Sequence, residues 1–148
     1  MNTIQIDKIM KKDKYSKNIY LGTFPIDMLP SKIKFPSCLI VNNQKSNQAG
    51  EHWVAIYFDE NKNGVFFDSF GKSPKFYGID NYLNYHVKSY SYNKKRVQSF
   101  WSKNCGYYCI LFLLLKCRNK TLDNYLDYLD NPSTNDLMIK NFLKMFDN

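Results

Sequence analysis

Residues 96–117 read RVQSFWSKNCGYYCILFLLLKC. From Cys105 onward the apolar positions fall on every side rather than on one stripe, so 105–118 is predicted to be a central, buried helix. The uncharged run from Gly106 to Leu115 is too short to span a bilayer. Three of the four cysteines lie on this stretch. Cysteine packs well as a small hydrophobe, so burial accounts for Cys109 and Cys117 without further argument. Cys105 differs because it stands at the polar entrance of the helix, where Ser102 or Asn104 can cap it.

Outward from this helix the chain alternates short elements. Residues 3–13 read as a helix with Ile4, Ile6, Ile9 and Met10 on its apolar side. IYLGTF follows, and then a Pro-punctuated loop through PIDMLPSKIKFPS. CLIVNN (38–43) has the continuous β-branched and apolar run of a buried strand. HWVAIYFD (52–59) and GVFFDSF (64–70), joined by ENKN, form a hairpin. Residues 76–85 are expected as a helix and 87–93 as a strand. The tail from Leu122 to Phe146 reads as two amphipathic helices split by NPST. Strands in the middle with helices at both ends predict an α+β domain around a small antiparallel or mixed sheet.

The chain has 148 residues, enough for one domain with a sizeable core, and 44% of them are apolar. Lys and Asn far outnumber Ala, a skew that AT-rich coding also produces, so part of the net charge of +8 is compositional. The charge is nevertheless uneven, about +10 over residues 1–118 and −2 over 119–148. Within 72–103, Lys72, Lys75, Lys88, Lys94, Lys95, Arg96 and Lys103 face a single acid, Asp80. A field of this sign attracts polyanions such as nucleic acid; a solvated basic face is the alternative. The first residues lack the apolar core of a signal peptide. Cysteines four and eight residues apart on one helix are poorly placed to bridge, and free thiols in a reducing compartment are expected. With no CxxC pair and only His52 and His86 to add, a zinc site is not expected.

A thiol nucleophile needs help to ionise, and the first turn of a helix supplies partial positive charge. Gly106 would let a substrate backbone approach. A base must come from two histidines. His52 opens a predicted strand after the turn-like NQAGE, while His86 has no evident partner. Asp68 ends the paired strand of the hairpin, so His52 and Asp68 fall near its same end and can sit side by side, as an imidazole and its orienting acid do. An oxyanion would need donors. The Cys105 N–H is one, and the Gln98 side-chain amide, seven residues earlier, can return as another.

These residues carry a resemblance to the adenain family, the adenovirus maturation proteases and their relatives in virophages and Maverick/Polinton-type elements. YLGTF (20–24), CLIVNN, GEHWVAIYFD, FFDSFG and VQSFWSKNCGYYCILFL resemble its motifs in order over roughly residues 15–118. A fainter likeness continues in NDLMIKNFLKMF. The resemblance implies a cysteine protease fold related to the papain-like and ubiquitin-like proteases. It implies Cys105 as nucleophile, His52 as base, Asp68 as its acid, where adenain has Glu, and Gln98 as oxyanion donor. It further implies cleavage of viral capsid precursors after small residues such as Gly, in the virion or the host-cell virus factory. A monomer with no membrane partner and no metal is expected. Viral DNA and an activating viral peptide are implied as cofactors. Residues 39–104 contain no cysteine, so such a peptide would not be disulfide-tethered as in adenain. Two other readings share these features: a SUMO- or ubiquitin-like deconjugating protease, and a non-catalytic, basic nucleic-acid-binding virion protein.

Overall fold

The computed structural model describes residues 1–47, 52–100 and 102–144. Most of the NQAGE segment and the last residues of the tail, including Phe146, lie outside them. The elements are α1 (Thr3–Lys12), β1 (Tyr20–Pro25), β2 (Ser37–Asn42), β3 (Trp53–Phe58), β4 (Asn63–Phe67), α2 (Asp80–His86), β5 (Ser89–Tyr92), α3 (Cys105–Lys116), α4 (Leu122–Tyr128) and α5 (Pro132–Leu143).

The sheet runs β1-β2-β3-β4-β5 in space as in sequence. β3 is antiparallel to both of its neighbours, β2 and β4, whereas β1 lies parallel to β2 and β5 parallel to β4. The sheet is therefore mixed. A short hairpin turn can only reverse a strand, but residues 26–36 and the segment carrying α2 are long enough to return the chain in the same direction. β1 also makes a strand of the YLGTF motif.

Strand periodicity divides the core. Cys38, Ile40, Ala55 and Phe67 face α3 together with α1, α4 and α5. Leu39, Val41, Val54, Ile56, Phe58 and Phe66 face the other way, under Ile79, Leu83 and Val87. α3 is buried from Cys105 through Leu114, apart from Tyr107. Its Phe112 stacks on Phe67 at 5.0 Å, and Tyr125 of α4 closes on Phe67 edge-on at 5.2 Å.

Three expected boundaries move. The 76–85 helix is two pieces, a 3-10 turn at Pro74–Tyr77 and then α2, because Gly78 takes φ 74° between them. The strand expected to run to Phe70 stops at Phe67, where the chain turns at Asp68–Gly71. NPST does not separate the tail helices as a whole. Asn131 caps α5, and Pro132 fills its first turn, where a missing N–H costs nothing.

Candidate active site

β3 and β4 pair with Ala55 opposite Phe67. Extending that register past the last pair sets Asp68 against Val54 and Phe70 against His52. His52 and Asp68 are thus diagonal neighbours at the open end of the hairpin, within reach of one another. The His52 Nε2 lies 2.6 Å from Asp68 Oδ1. Cys105 lies close enough to the imidazole for its thiol to add to the raised pKa of His52. α3 packs on the opposite face of the sheet and brings Cys105 to this end as its first residue.

Asp68 is fully buried. Its carboxylate accepts from the Tyr77 hydroxyl at 2.7 Å, the Lys72 N–H at 3.0 Å and the Phe70 N–H at 3.2 Å, besides His52. Its backbone is held by Asn93, which accepts from the Asp68 N–H at 3.0 Å and donates to the Asp68 carbonyl at 2.6 Å. Burial opposes a charge on His52, but the hydrogen bonds and charges of Asp68 and Cys105 outweigh it. The imidazole pKa is raised from 6.5 to about 9. Phe70 stacks on the His52 ring at 4.8 Å and Tyr77 lies at 5.8 Å, so the pair is walled by aromatic rings.

Gln98 is fully buried. Its carbonyl oxygen accepts from the Ser69 hydroxyl, and its amide donates to the Ser102 carbonyl at 3.0 Å and the Ser102 Oγ at 3.1 Å. Gln98 therefore grips the loop leading to Cys105, three residues short of it, with its amide hydrogens already engaged. Ser102 Oγ in turn accepts from the Asn104 N–H at 3.1 Å. Neither Ser102 nor Asn104 caps α3 through a side chain as expected. The first amides of a helix have no intrahelical acceptor, so an uncapped start leaves positive N–H groups at Cys105.

Gly106 serves a different purpose from the one expected. A Cβ there would meet Met1 Sδ at 3.3 Å, Trp53 Cδ1 at 3.4 Å and Ile6 Cδ1 at 3.5 Å. The glycine lets α3 close on α1 and Trp53 rather than admitting a substrate. Cys109 is buried and donates to the Trp53 carbonyl at 3.3 Å, whereas Cys117 is only half-buried and contacts Cys38. His86 packs among Tyr82 and Tyr85 in α2 and takes no part in this cluster.

The seven cations do not form one face. Lys72, Lys94, Lys95 and Arg96 meet beside Asp68, because the Gly71 backbone lies against the 94–96 backbone. Lys103 and Lys75 lie on the loop before α3 and on the 3-10 turn. Lys88 precedes β5, where its N–H donates to the Lys62 carbonyl by the hairpin turn. Six residue steps along and past β5 separate it from Lys94, up to about 20 Å. Among the described residues no group of three or more His, Cys, Asp or Glu could hold a metal, and no helix is long and apolar enough to cross a membrane.

A model of the adenovirus endoprotease family matches residues 18–138, most of the chain and all of this cluster. The chain belongs to the adenovirus endoprotease family. It is also 30% identical, over 95 residues, to a protein of Acanthamoeba polyphaga mimivirus described as a thiol protease. That match covers 57% of the chain and 31% of the relative, so the chain spans about a third of that protein's length. Among solved structures, the ASFV pS273R protease superposes with a TM-score of 0.58 at 16% identity, covering 94% of this chain and 64% of that one. The central domain of Lpg1148 from Legionella pneumophila gives 0.54 at 13% identity, covering 98% and 94%. ChlaDub1 from Chlamydia trachomatis gives 0.51 at 16%, covering 75% and 59%. At these identities the structures speak for the fold alone, an α+β cysteine protease fold. The matched region includes Cys105, His52, Asp68 and Gln98.

Tyr77, Asn93, Ser69 and Gly71 also build the site and were not singled out in the sequence, and Ser102 was read only as a helix cap. Of these, Ser69 and Gly71 lie in the FFDSFG motif.

Proposed function

We propose that this protein is a cysteine endopeptidase that matures viral structural precursors. The observation that carries the proposal is the His52 imidazole set between the buried Asp68 carboxylate and the Cys105 thiol at an uncapped helix start. In this reading Cys105 and His52 work as a thiolate–imidazolium pair. The thiolate attacks the scissile carbonyl carbon, and the oxyanion forms against the Cys105 N–H. The Gln98 amide becomes its second donor by exchanging a Ser102 contact for the oxyanion. His52 then passes its proton to the leaving amine, and the C–N bond breaks to leave a thioester. Water, deprotonated by His52, attacks the thioester, releasing the acid product and the Cys105 thiolate.

The finer reading follows the family. Cleavage falls after small residues, Gly above all, in capsid precursors, inside the virion or the virus factory. Viral DNA and a viral peptide added along a sheet edge enter it as activators, the peptide without a disulfide tether. Co-expression with a capsid precursor tests the proposal. Cleavage is expected with the wild type and none with Cys105→Ala, and equal cleavage by both would overturn it. Release of a ubiquitin-like tail without capsid cleavage would instead make the chain a deconjugating protease. Adding DNA or the peptide to the purified chain tests each as an activator.

A further inference from the structure

One surface beside this cluster is unaccounted for by it. Phe100 is 72% exposed although it sits two residues from the buried Gln98. Its ring stacks nearly parallel to Phe70 at 6.5 Å, and Phe70 stacks on His52 at 4.8 Å, so two rings lead from the imidazole to solvent. The Arg96 guanidinium lies 3.8 Å from the centre of the Phe100 ring and donates to the Gln98 carbonyl at 2.7 Å. Lys72 reaches over Phe76, itself 66% exposed, at 5.3 Å, and Lys94 and Lys95 are exposed beside it.

This platform is rigidly tied to the reacting groups. The Val97 and Gln98 N–H groups both donate to the Ser69 carbonyl, at 2.9 and 3.1 Å, and Asn93 joins the Asp68 backbone to the Lys95 carbonyl. Asn135 of α5 supports the same loop by donating to the Val97 carbonyl at 2.9 Å. The turn that carries Asp68 and Phe70 and the loop that carries Arg96, Gln98 and Phe100 are therefore one unit. Its distance from the scissile bond is set by backbone hydrogen bonds.

We propose that the Phe70–Phe100 stack with Arg96 is the docking platform for the leaving-group side of the substrate, selecting an aromatic or large apolar side chain next to an acidic one. This rests on the endopeptidase reading. The argument is directional. His52 must reach the departing amine, so the segment beyond the scissile bond leaves along the imidazole, and Phe70 covers that ring with Phe100 continuing outward. A separate cavity of about 440 Å³ lies by Trp53, the residue after His52, and is lined also by Met1, Thr23, Phe24, Asn42 and Gln44. An exposed ring under a guanidinium accepts a flat or bulky side chain, and the free donors of Arg96 with Lys72, Lys94 and Lys95 accept a carboxylate. Single-stranded nucleic acid can also stack on such rings. Contact between Phe70 and His52, which a backbone-tracking polyanion would not need, favours the peptide.

The test is cleavage of a proteome-derived peptide library by the full chain, reading the residues on both sides of each Cys105-dependent cut. Wild type is expected to enrich aromatic or large apolar residues within the first leaving-side positions, with Asp or Glu adjacent. The kcat/KM ratio of an extended peptide to one ending in a small fluorogenic amine should fall about tenfold in Phe100→Ala. Phe100→Leu should recover part of that ratio, and Arg96→Gln should weaken the acidic preference more than the aromatic one. Cutting that is selective only on the acyl side overturns the platform and leaves the endopeptidase reading standing. Absence of any Cys105-dependent cut overturns both. If Phe100→Ala instead weakens binding of a labelled single-stranded oligonucleotide and leaves the cleavage profile unchanged, the surface binds nucleic acid and the proposal falls.

Discussion

Replacing Asp68 by Asn changes one atom's chemistry at the most heavily engaged carboxylate of the site. The carboxylate accepts from His52, Phe70, Lys72 and Tyr77. An amide keeps one acceptor, which can serve His52 and the Phe70 N–H and turns an NH2 toward Lys72 and Tyr77. The Tyr77 hydroxyl can rotate to accept, but the Lys72 N–H cannot, and a buried unpaired donor costs about 1–3 kcal/mol. The imidazolium loses its anion at the same time. Its pKa, raised from 6.5 to about 9, corresponds to roughly 3 kcal/mol of preference for the charged form, shared between Asp68 and Cys105. The sign follows from linkage. A raised histidine pKa stabilises the folded state fully below pH 6.5, and that contribution is lost as pH rises through about 9. The alkaline limb of kcat/KM, which reports loss of the His52 proton, should lie near pH 9 in the wild type. In Asp68→Asn it should move down by at least about one unit, with kcat/KM at about pH 8 reduced about a hundredfold. Peptide hydrolysis across the pH range measures both, with circular dichroism to confirm folding. A folded Asp68→Asn protein whose alkaline limb stays in place would refute the assignment of Asp68 as the source of the shift.

Three further outcomes follow from the same contacts. Gly71→Ala puts a Cβ 2.9 Å from the Lys94 carbonyl oxygen at φ 74°, so a loss of about 2 kcal/mol or more is expected, read as a fall in Tm of about 5 °C. Asn93→Ala leaves the buried Asp68 N–H and carbonyl without their partner, which should cost about 2–4 kcal/mol in denaturant unfolding. Mild alkylation with mass-spectrometric mapping should find Cys117, half-buried and with its pKa lowered by the Cys38 contact, labelled together with Cys105. Cys109, buried and pushed up by burial, should stay unlabelled. His52→Ala should slow labelling of Cys105 and leave Cys117 as it was, and equal slowing of both would point to a change of fold.

Much of the site was legible because it depends on short-range counting. The hairpin places His52 and Asp68 at one end through alternation and a short turn, and the apolar run from Gly106 presents Cys105 as the first residue of a buried helix. The supporting residues were not legible in this way. Asn93 meets Asp68 across 25 residues, Gln98 meets Ser69 across 29, and Asn135 meets Val97 across 38. Each contact depends on how α2, β5 and α5 return to the sheet, and alternating hydrophobicity does not encode a strand's direction. The parallel edges β1 and β5 escaped a firm reading for the same reason.

The sequence by itself determined which residues stand ready for chemistry, because helix starts, hairpin ends and apolar periodicity are local properties of the chain. Only the tertiary structure decided what those residues touch. It turned Gly106 toward Trp53 and α1 rather than toward a substrate, and it engaged the Gln98 amide with Ser102. It split the basic run into a group beside Asp68 and a distant Lys88, and it left Phe100 uncovered beside the imidazole. Such outcomes depend on which segments a parallel crossover carries back to the sheet, a choice made by packing the whole core at once.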